Sequence, residues 1–289
     1  IFSLFLFSLT FISCSSSSDD VLTSSNGLFV TVGGTGTILT SSDGTSWNER
    51  TSGISRRLWG VTYGNGTFVT VGDNGTILTS SDGTTWTERT SGTSDYLYGV
   101  TFGNNTFVAV GGEWFVNGTI LTSSDGISWT SGTSHMLFGV TYGNSTFVAV
   151  GYYGTILTSS DGTSWNERTS GISRRLWGVT YGNGTFVTVG DNGTILTSSD
   201  GTSWTERTSG ISTGLSGVTY GNGTFVTVGT TTTSTSSSDN STITSTTYTT
   251  TLTSSDGVTW TLRTSGTSNE PRGNITYGNG LFVTVGSGG

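Results

Sequence analysis

The chain of 289 residues contains no lysine and only one proline, one methionine, one cysteine and one histidine. The single cysteine, Cys14, excludes an internal disulfide, and the single histidine, His135, excludes a zinc site built from several His or Cys ligands. Eighteen acidic residues against ten arginines give a net charge of −8 and a pI near 4.4, without any basic run. These features disfavour nucleic-acid binding, and we expect neither a metal nor a cofactor.

Helical periodicity is also absent, and the chain instead repeats a seven-residue stretch, Ser-Ser-Asp-Gly-Thr-Ser-Trp, first seen at residues 41–47. Variants of this stretch recur at residues 80–86, 123–129, 159–165, 198–204 and 254–260. Successive aspartates are 39, 43, 36, 39 and 56 residues apart. A period near 40 residues made of four short strands is typical of a propeller blade. The sequence therefore predicts an all-β propeller of four-stranded antiparallel blades, with six blades favoured and seven as the alternative.

The Asp-Gly pair in each stretch indicates a turn, because Asp can accept a hydrogen bond from the backbone two residues on and Gly tolerates a positive φ. β-branched and aromatic residues flank the pair, which indicates a hairpin between two strands. We expect each Trp to fill the space between neighbouring blades. The residues predicted to hold these turns are Asp43, Trp47, Asp82, Trp86, Asp125, Trp129, Asp161, Trp165, Asp200, Trp204, Asp256 and Trp260.

The stretch resembles the Asp-box, or bacterial neuraminidase repeat, of sialidases, xyloglucan hydrolases, sortilin-type receptors and photosystem assembly factors, over nearly all of residues 26–289. It departs from that pattern because Gly44 follows Asp43 directly, where the family commonly has one residue between them. The resemblance implies that the aspartates maintain the fold and do not catalyse a reaction. Six calcium sites are the alternative, but each turn offers one carboxylate and calcium takes six to eight oxygen ligands.

Residues 1–13 form an apolar block that is too short to span a bilayer and has the length of a signal-peptide core. Cys14 follows this block and precedes a Ser/Asp-rich run, which resembles a bacterial lipoprotein box with Phe11 in place of the usual Leu. The resemblance implies a lipid anchor on Cys14 and an extracytoplasmic protein, on the bacterial outer membrane or cell surface. A secreted protein with a plain signal region is the alternative. Residues 14–25 would then be a tether, and residues 26–289 the propeller, cut short at its C-terminus.

Three further segments bear on how the ring is built. Asn65-Gly66 predicts a two-residue hairpin between the first two strands of a blade. A Thr/Ser-rich insertion near residues 230–251 predicts either a mobile loop or an elongated hairpin. A six-blade ring would close if residues 274–277 completed the first blade.

Antiparallel blades place alternate loops on opposite faces, and the sequence varies mainly in the loops of one face. These loops join strand two to strand three and each blade to the next. Insertions on one side of a repeat array often mark its binding side, and aromatic or Arg side chains there could stack on sugars or hold carboxylates. The candidate ligand-binding residues are Arg56, Arg57, Trp59, Asp95, Tyr96, Trp114, Phe115, His135, Tyr152, Tyr153, Arg174, Arg175 and Trp177.

These patterns predict a monomeric, non-catalytic binding or adhesion module for a glycan or a cell-surface protein. A glycoside hydrolase is the first alternative, with a pair such as Asp95 and Glu113 as its two carboxylates, although few acids remain outside the repeats. Residues 210–214 match Gly-x-Ser-x-Gly, but no helix follows, which argues against a nucleophile elbow. A structural spacer is the second alternative, because residues 36–84 recur unchanged as residues 154–202.

Overall fold

The computed structural model describes residues 9–14, 20–23, 27–113, 117–236, 243–264 and 275–287, which form a β-propeller. Six sheets are blades of four antiparallel strands, and within each blade the strands follow in chain order from the inside outwards. This arrangement confirms the predicted fold class and the predicted six four-stranded blades. No helix of the described chain is long and apolar enough to cross a bilayer.

The first strand is β1 (Leu9–Cys14); the first blade contains β2 (Asp20–Thr23), β3 (Phe29–Val32), β4 (Ile38–Ser41) and β5 (Asn48–Arg50), and the second blade contains β6 (Leu58–Gly64), β7 (Thr67–Gly72), β8 (Ile77–Ser80) and β9 (Thr87–Arg89). The third blade contains β10 (Leu97–Gly103), β11 (Thr106–Gly112), β12 (Gly118–Ser123) and β13 (Thr130–Ser134), and the fourth contains β14 (Leu137–Gly143), β15 (Thr146–Gly151), β16 (Ile156–Ser159) and β17 (Asn166–Arg168). The fifth blade contains β18 (Leu176–Gly182), β19 (Thr185–Gly190), β20 (Ile195–Ser198) and β21 (Thr205–Arg207), and the sixth contains β22 (Leu215–Gly221), β23 (Thr224–Ser236), β24 (Ile243–Ser254) and β25 (Thr261–Thr264). The last two strands are β26 (Ile275–Gly278) and β27 (Leu281–Ser287). Short 3-10 turns join strands two and three in four blades, at Gly34–Gly36, Asp73–Gly75, Tyr152–Gly154 and Asp191–Gly193.

A three-stranded sheet of β26, β27 and β1 closes the ring between the sixth blade and the first, since β26 contacts both β22 and β2. β1 pairs with β27 in parallel, from Leu9 opposite Phe282 to Cys14 opposite Ser287. The sequence analysis required residues 274–277 to complete the first blade for a six-blade ring to close. The structure instead places β26 in a separate sheet with β27 and β1. Asn279 joins this sheet to the first blade, because its Nδ2 donates to the carbonyl of Gly27 at 2.9 Å.

The first blade begins before the predicted propeller boundary at residue 26. Asp20–Thr23 lies in the segment predicted as a tether, yet it pairs antiparallel with Phe29–Val32 as the innermost strand of the blade. Val21-Leu22 is the only apolar pair there, and the Ser/Asp-rich residues around it gave the segment the composition of a linker. The signal-peptide and lipid-anchor predictions for residues 1–14 stay predictions.

Strand two of each blade lies at the centre of the core. In the fourth blade Phe147 is fully buried, and it packs with Leu137 of its own blade against Val108 and Val110 of the third. Trp165 is half-buried at the edge of this cluster, with its ring centroid 6.4 Å from that of Phe147. The tryptophan of the repeat thus packs where two blades meet. Both faces of the strand are apolar because a blade covers each side.

The aspartate turn has the same core of hydrogen bonds in all six blades, and the second blade illustrates it. Asp82 Oδ1 accepts hydrogen bonds from the backbone N–H groups of Thr84 and Thr85, both at 2.8 Å, and from the Ser80 hydroxyl at 2.9 Å. Ser80 Oγ accepts from the Gly83 N–H at 2.8 Å, and Trp86 Nε1 donates to the Gly83 carbonyl at 3.1 Å. The aspartate bonds to the backbone two residues on, as the sequence predicted, and the serine is a second partner that the sequence analysis did not assign.

These donors lower the pKa of the turn aspartates, mainly through the Thr85 N–H at Asp82, the Ser164 N–H at Asp161 and the Thr202 hydroxyl at Asp200. A carboxylate with a lower pKa in the folded state stabilises the fold above its ordinary pKa, near 4, and this contribution is lost as the pH falls further. We therefore expect these aspartates to leave the urea midpoint unchanged from pH 7 to about pH 4 and to lower it below that. The triple variant Asp82→Asn/Asp161→Asn/Asp200→Asn should lose less stability than the native chain between about pH 4 and pH 2. Equal losses would contradict this prediction.

The Thr/Ser-rich insertion forms the elongated hairpin, and not the loop, of the two predicted alternatives. β23 and β24 pair without interruption from Phe225 opposite Ser254 to Ser236 opposite Ile243. Strand two of the other blades ends near the position of Gly229, so the pairing beyond it extends past the body of the sixth blade. This hairpin lies on the side of the ring that carries the other loops between strands two and three.

Candidate functional site

The two faces of the propeller carry different kinds of connection. The turn face carries the aspartate turns and the two-residue turns between strands one and two. These turns are neighbours, because Asn104 Nδ2 in the two-residue turn of the third blade donates a hydrogen bond to the Ser160 carbonyl in the aspartate turn of the fourth blade, at 3.4 Å. Asn65 and Gly66 both have positive φ, as the predicted hairpin requires. The loop face carries the 3-10 turns and the links between blades. The aspartate turns are nearly identical and the loops differ, so the variable residues of the chain lie mainly on the loop face.

The first strand of five blades has a bulge close to the loop face. In β6 the pairing register shifts between Leu58 and Gly60, so Trp59 is the extra residue. The equivalent residues of the next four blades are Tyr98, Phe138, Trp177 and Ser216. A bulge redirects the side chain of its extra residue. Four neighbouring blades therefore present an aromatic side chain at the same level of the ring.

These four rings, Trp59, Tyr98, Phe138 and Trp177, contact one another in a row that we call the aromatic arc. Successive ring centroids are 5.3, 5.5 and 4.4 Å apart, and the first two contacts are edge-to-face. Phe138 is buried, whereas the other three rings are partly exposed. The sequence analysis identified Trp59 and Trp177 but missed Tyr98 and Phe138. Aligning the repeats on their Leu-x-Gly-Val-Thr segments would have placed all four at one position.

The two ends of the arc have matching polar surroundings, because they belong to the duplicated segments. At the first end Trp59 Nε1 donates to Asp73 Oδ1 at 2.5 Å, and Arg57 Cζ lies 4.8 Å from the indole centroid. At the second end Trp177 Nε1 donates to Asp191 Oδ1 at 2.7 Å, and Arg175 Cζ lies 5.7 Å from the indole centroid of Trp177. Each indole is thus fixed by a carboxylate and has a cation beside its ring.

Next to the second end lies an open groove, which we call the tyrosine groove, and its lining reaches from the outer part of the third blade across the fourth blade to Glu206 of the fifth. It has a volume of about 1330 Å³, and a hollow of about 410 Å³ adjoins it. The 3-10 turn gives Tyr153 a φ of +52° and leaves 68% of the residue exposed. The Tyr152 ring lies 4.2 Å from that of Tyr153, and Arg175 Cζ lies 5.4 Å from the Tyr152 centroid. A hydrogen bond with Tyr152 raises the pKa of Tyr153 above its ordinary value.

Side chains of both charge signs line the same groove. Arg174 forms an ion pair with Glu206 of the next blade, and both are partly exposed. Arg168 Nε donates to Thr158 Oγ1 at 2.8 Å, which holds the outermost strand to its neighbour. An exposed ion pair contributes little to stability, so a ligand could replace either partner at small cost. The groove therefore offers an exposed aromatic ring beside exchangeable charges.

Six of the predicted ligand-binding residues line this groove and its adjoining hollow or contact a residue that does: His135, Tyr152, Tyr153, Arg174, Arg175 and Trp177. Arg56, Arg57 and Trp59 occupy the equivalent junction of the first and second blades, where Gly34 and Thr35 stand in place of the two tyrosines. In both junctions the first arginine of the pair forms an ion pair with a glutamate of the outermost strand.

The remaining predicted residues lie elsewhere. Asp95 accepts a hydrogen bond from the Thr119 hydroxyl, and Tyr96 stacks on Tyr98 with centroids 6.3 Å apart, so this pair adjoins the aromatic arc. Trp114 and Phe115 lie outside the described residues. Within the described ranges, no three His, Cys, Asp or Glu side chains gather as metal ligands would.

No protein-family model and no curated protein sequence matches this chain. Its fold is similar to the solved structure of YCF48 from Cyanidioschyzon merolae, with a TM-score of 0.61 and 17% identity over 87% of this chain and 86% of that one. A structure of YCF48 bound to D1 peptide gives the same TM-score and identity over 86% and 81% of the two chains. The computationally designed protein Ika8 is similar over 96% and 95%, with a TM-score of 0.59 and 13% identity. At such identities the likeness shows the β-propeller fold alone.

Proposed function

We propose that this protein is a non-catalytic binding module whose loop face holds a protein partner, with the tyrosine groove as the main contact. The observation that carries the proposal is the meeting of Tyr152, Tyr153, Arg174, Arg175 and Trp177 at one junction. Tyr, Trp and Arg are the residues most enriched among those that dominate binding energy at protein interfaces. Their large surfaces exclude water, and their polar ends still form hydrogen bonds.

Two further observations support a protein ligand. A propeller of similar fold, YCF48, has been solved bound to D1 peptide, so this architecture can hold a segment of another protein. The two tyrosines of the groove are also asymmetric around the ring, because the duplicated first junction has Gly34 and Thr35 in their place. The difference between two otherwise equal junctions indicates a site specific to one of them.

A phage-displayed peptide library, selected on the purified protein, tests this proposal. The variant Tyr152→Gly/Tyr153→Thr gives the groove the residues of the first junction, which the fold already accommodates. We expect it to weaken the selected peptides at least about tenfold, equivalent to about 1.4 kcal/mol. Fluorescence anisotropy with labelled peptides measures the affinity.

The control variant is Ile127→Thr on the turn face. Ile127 is 48% exposed, and four other blades carry Thr at its position, so the change should leave binding as it was. If the library yields no binder, or if both variants weaken binding equally, the proposal is wrong.

A glycan is the second candidate, because the exposed Tyr153 ring could stack on a sugar. A glycan array that detects the native protein but not the tyrosine variant would favour it.

A further inference from the structure

We propose that the three-stranded sheet of β26, β27 and β1, which we call the closing sheet, accepts a strand–turn–strand segment of a partner polypeptide. The segment has the sequence of this chain's own repeats and pairs with β27 in place of β1. This site is separate from the tyrosine groove, because none of the described residues of the closing sheet lines that groove. Neither proposal therefore depends on the other.

The strand β27 has the sequence of a strand that pairs antiparallel elsewhere in the chain. Residues 279–286 are identical to residues 26–33, which contain strand two of the first blade, β3. β3 pairs antiparallel with β4, and the other five blades pair the corresponding strands in the same register. In the closing sheet β1 takes this place and runs parallel. The antiparallel partner that β27 matches is therefore a strand of the type Thr-Ile-Leu-Thr-Ser.

The apolar cluster between the sixth blade and the closing sheet differs in composition from the six other clusters. Each of those contains the tryptophan of an aspartate turn. In the blades this indole lies beside the phenylalanine of strand two, with ring centroids 6.2 to 6.5 Å apart. Among the described residues the remaining cluster has no tryptophan, and Phe282 of β27 is its strand-two phenylalanine. The tryptophan of an added segment would pack beside Phe282 as the other tryptophans do in their blades.

The first blade has an apolar residue toward the closing sheet that is less covered than its counterparts. Leu39 of strand three is half-buried. The same leucine is buried in the other five blades, at Leu78, Leu121, Leu157, Leu196 and Leu252. Each packs against the blade before it, as Leu78 does in one cluster with Ile38. The closing sheet precedes the first blade, and its third strand is β1 instead of a Thr-Ile-Leu-Thr strand. The isoleucine of an added segment would therefore cover Leu39.

Backbone pairing and apolar contact both favour the exchange of β1 for such a segment. Parallel pairing is slightly less stable per residue than antiparallel pairing. The segment would also supply a second strand, so the closing sheet would gain the fourth strand that each blade has. A strand added to a sheet gains affinity from main-chain hydrogen bonds and specificity from its alternate side chains. A second copy of this chain is not the expected partner, because its six hairpins already lie in their own blades.

A fluorescein-labelled peptide with the sequence of residues 75–89 tests this proposal. It contains strand three, the aspartate turn, Trp86 and strand four of the second blade. Fluorescence anisotropy measures its affinity for the native chain. We expect the Trp86→Ala peptide to bind at least about tenfold more weakly, because truncating a packed tryptophan removes a large apolar contact. A scrambled peptide of the same composition should not bind.

The variant Ser287→Cys shows whether the peptide takes the place of β1. Cys14 and Ser287 are paired in the register of β1 and β27, and neighbouring strands lie about 4.8 Å apart, within the Cα separation of a disulfide. The chain is produced in the cytosol, so that Cys14 keeps its thiol. We expect the oxidised variant to bind the peptide several-fold more weakly, because a tethered strand competes at a high effective concentration. Reduction of the same sample should restore the native affinity.

The variant Thr10→Pro/Phe11→Pro tests the exchange in the opposite direction. Proline has no backbone N–H, and successive N–H groups of a strand alternate in direction, so two prolines in a row remove one that faces β27. This variant should bind the peptide several-fold more tightly than the native chain. Thermal unfolding of each variant checks that it is folded.

The proposal is overturned if the scrambled peptide binds as well as the repeat peptide, or if the oxidised and reduced forms of Ser287→Cys bind equally. It is also overturned if neither the native chain nor the folded proline variant binds the repeat peptide. Size-exclusion chromatography of the native chain tests the other occupant. A dimer that the peptide dissociates would identify a second copy as the occupant and refute the partner polypeptide.

Discussion

Replacing Phe147 with Ala should lower the free energy of unfolding by about 3–5 kcal/mol. Phe147 is fully buried in strand two of the fourth blade, with its ring centroid 4.6 Å from that of Tyr142 and 6.4 Å from that of Trp165. Truncation removes the apolar area of the ring from the core and leaves a cavity where the third and fourth blades meet. Backbone strands on both sides prevent the site from collapsing fully. Urea denaturation followed by tryptophan fluorescence measures the loss.

The matched control is Tyr153→Thr in the same blade, which also removes an aromatic ring. Tyr153 is 68% exposed, and the first blade carries Thr35 at the corresponding turn position. An exposed substitution of this kind should change stability by no more than about 0.5 kcal/mol. If Phe147→Ala were as mild as the control, packing between blades could not be the main source of stability in this fold.

The sequence was sufficient to predict the fold because each blade is specified locally. The hydrogen bonds around Asp82 connect residues two or three positions apart, and the hairpin turn at Asn65-Gly66 consists of two residues. The placement of β26 was not predictable in the same way. Its sequence resembles the first strand of any blade, and its assignment depends on contacts with β22 and β2 and on pairing with β27. The sheet to which a strand belongs depends on contacts between residues far apart in the chain. Because the first strands of the repeats are so similar in sequence, that sequence does not show which sheet each one joins.

The site was predictable in part for a related reason. Tyr152 and Tyr153 differ from the otherwise repeated pattern, and Arg174 and Arg175 lie in a link that varies among the blades, so the sequence alone marked all four as loop residues. Tyr98 was missed because it lies inside a strand whose alternation looks regular. Only the bulge between Leu97 and Gly99 turns it toward its neighbours, and only the packing of neighbouring blades brings residues about forty positions apart into contact. Recognising the arc required both the bulge and the contacts between neighbouring blades.

A second large effect is expected at a glycine whose backbone is not in the left-handed region. A Cβ on Gly103 would overlap the Tyr142 ring of the next blade, at atoms close to the backbone that cannot rotate away. The same packing recurs around the ring at Gly64, Gly143, Gly182 and Gly221. Gly103→Ala must therefore push two blades apart. Overpacking of this kind costs about 1–3 kcal/mol and sometimes more, which a fall in the urea midpoint would report.

Two further variants show whether the cost comes from this overlap. Gly132 lies in the outermost strand of the same blade, where a new Cβ would come no closer than 3.8 Å to the Ile120 carbonyl, so Gly132→Ala should be nearly neutral. Adding Tyr142→Ala to Gly103→Ala removes the ring that the methyl group would strike. The double variant should then be less destabilised than the sum of the two single variants, because residues in contact do not behave additively. Strict additivity, or equal effects at Gly103 and Gly132, would mean that the blades tolerate a side chain at this contact and that the repeated glycine around the ring has another cause.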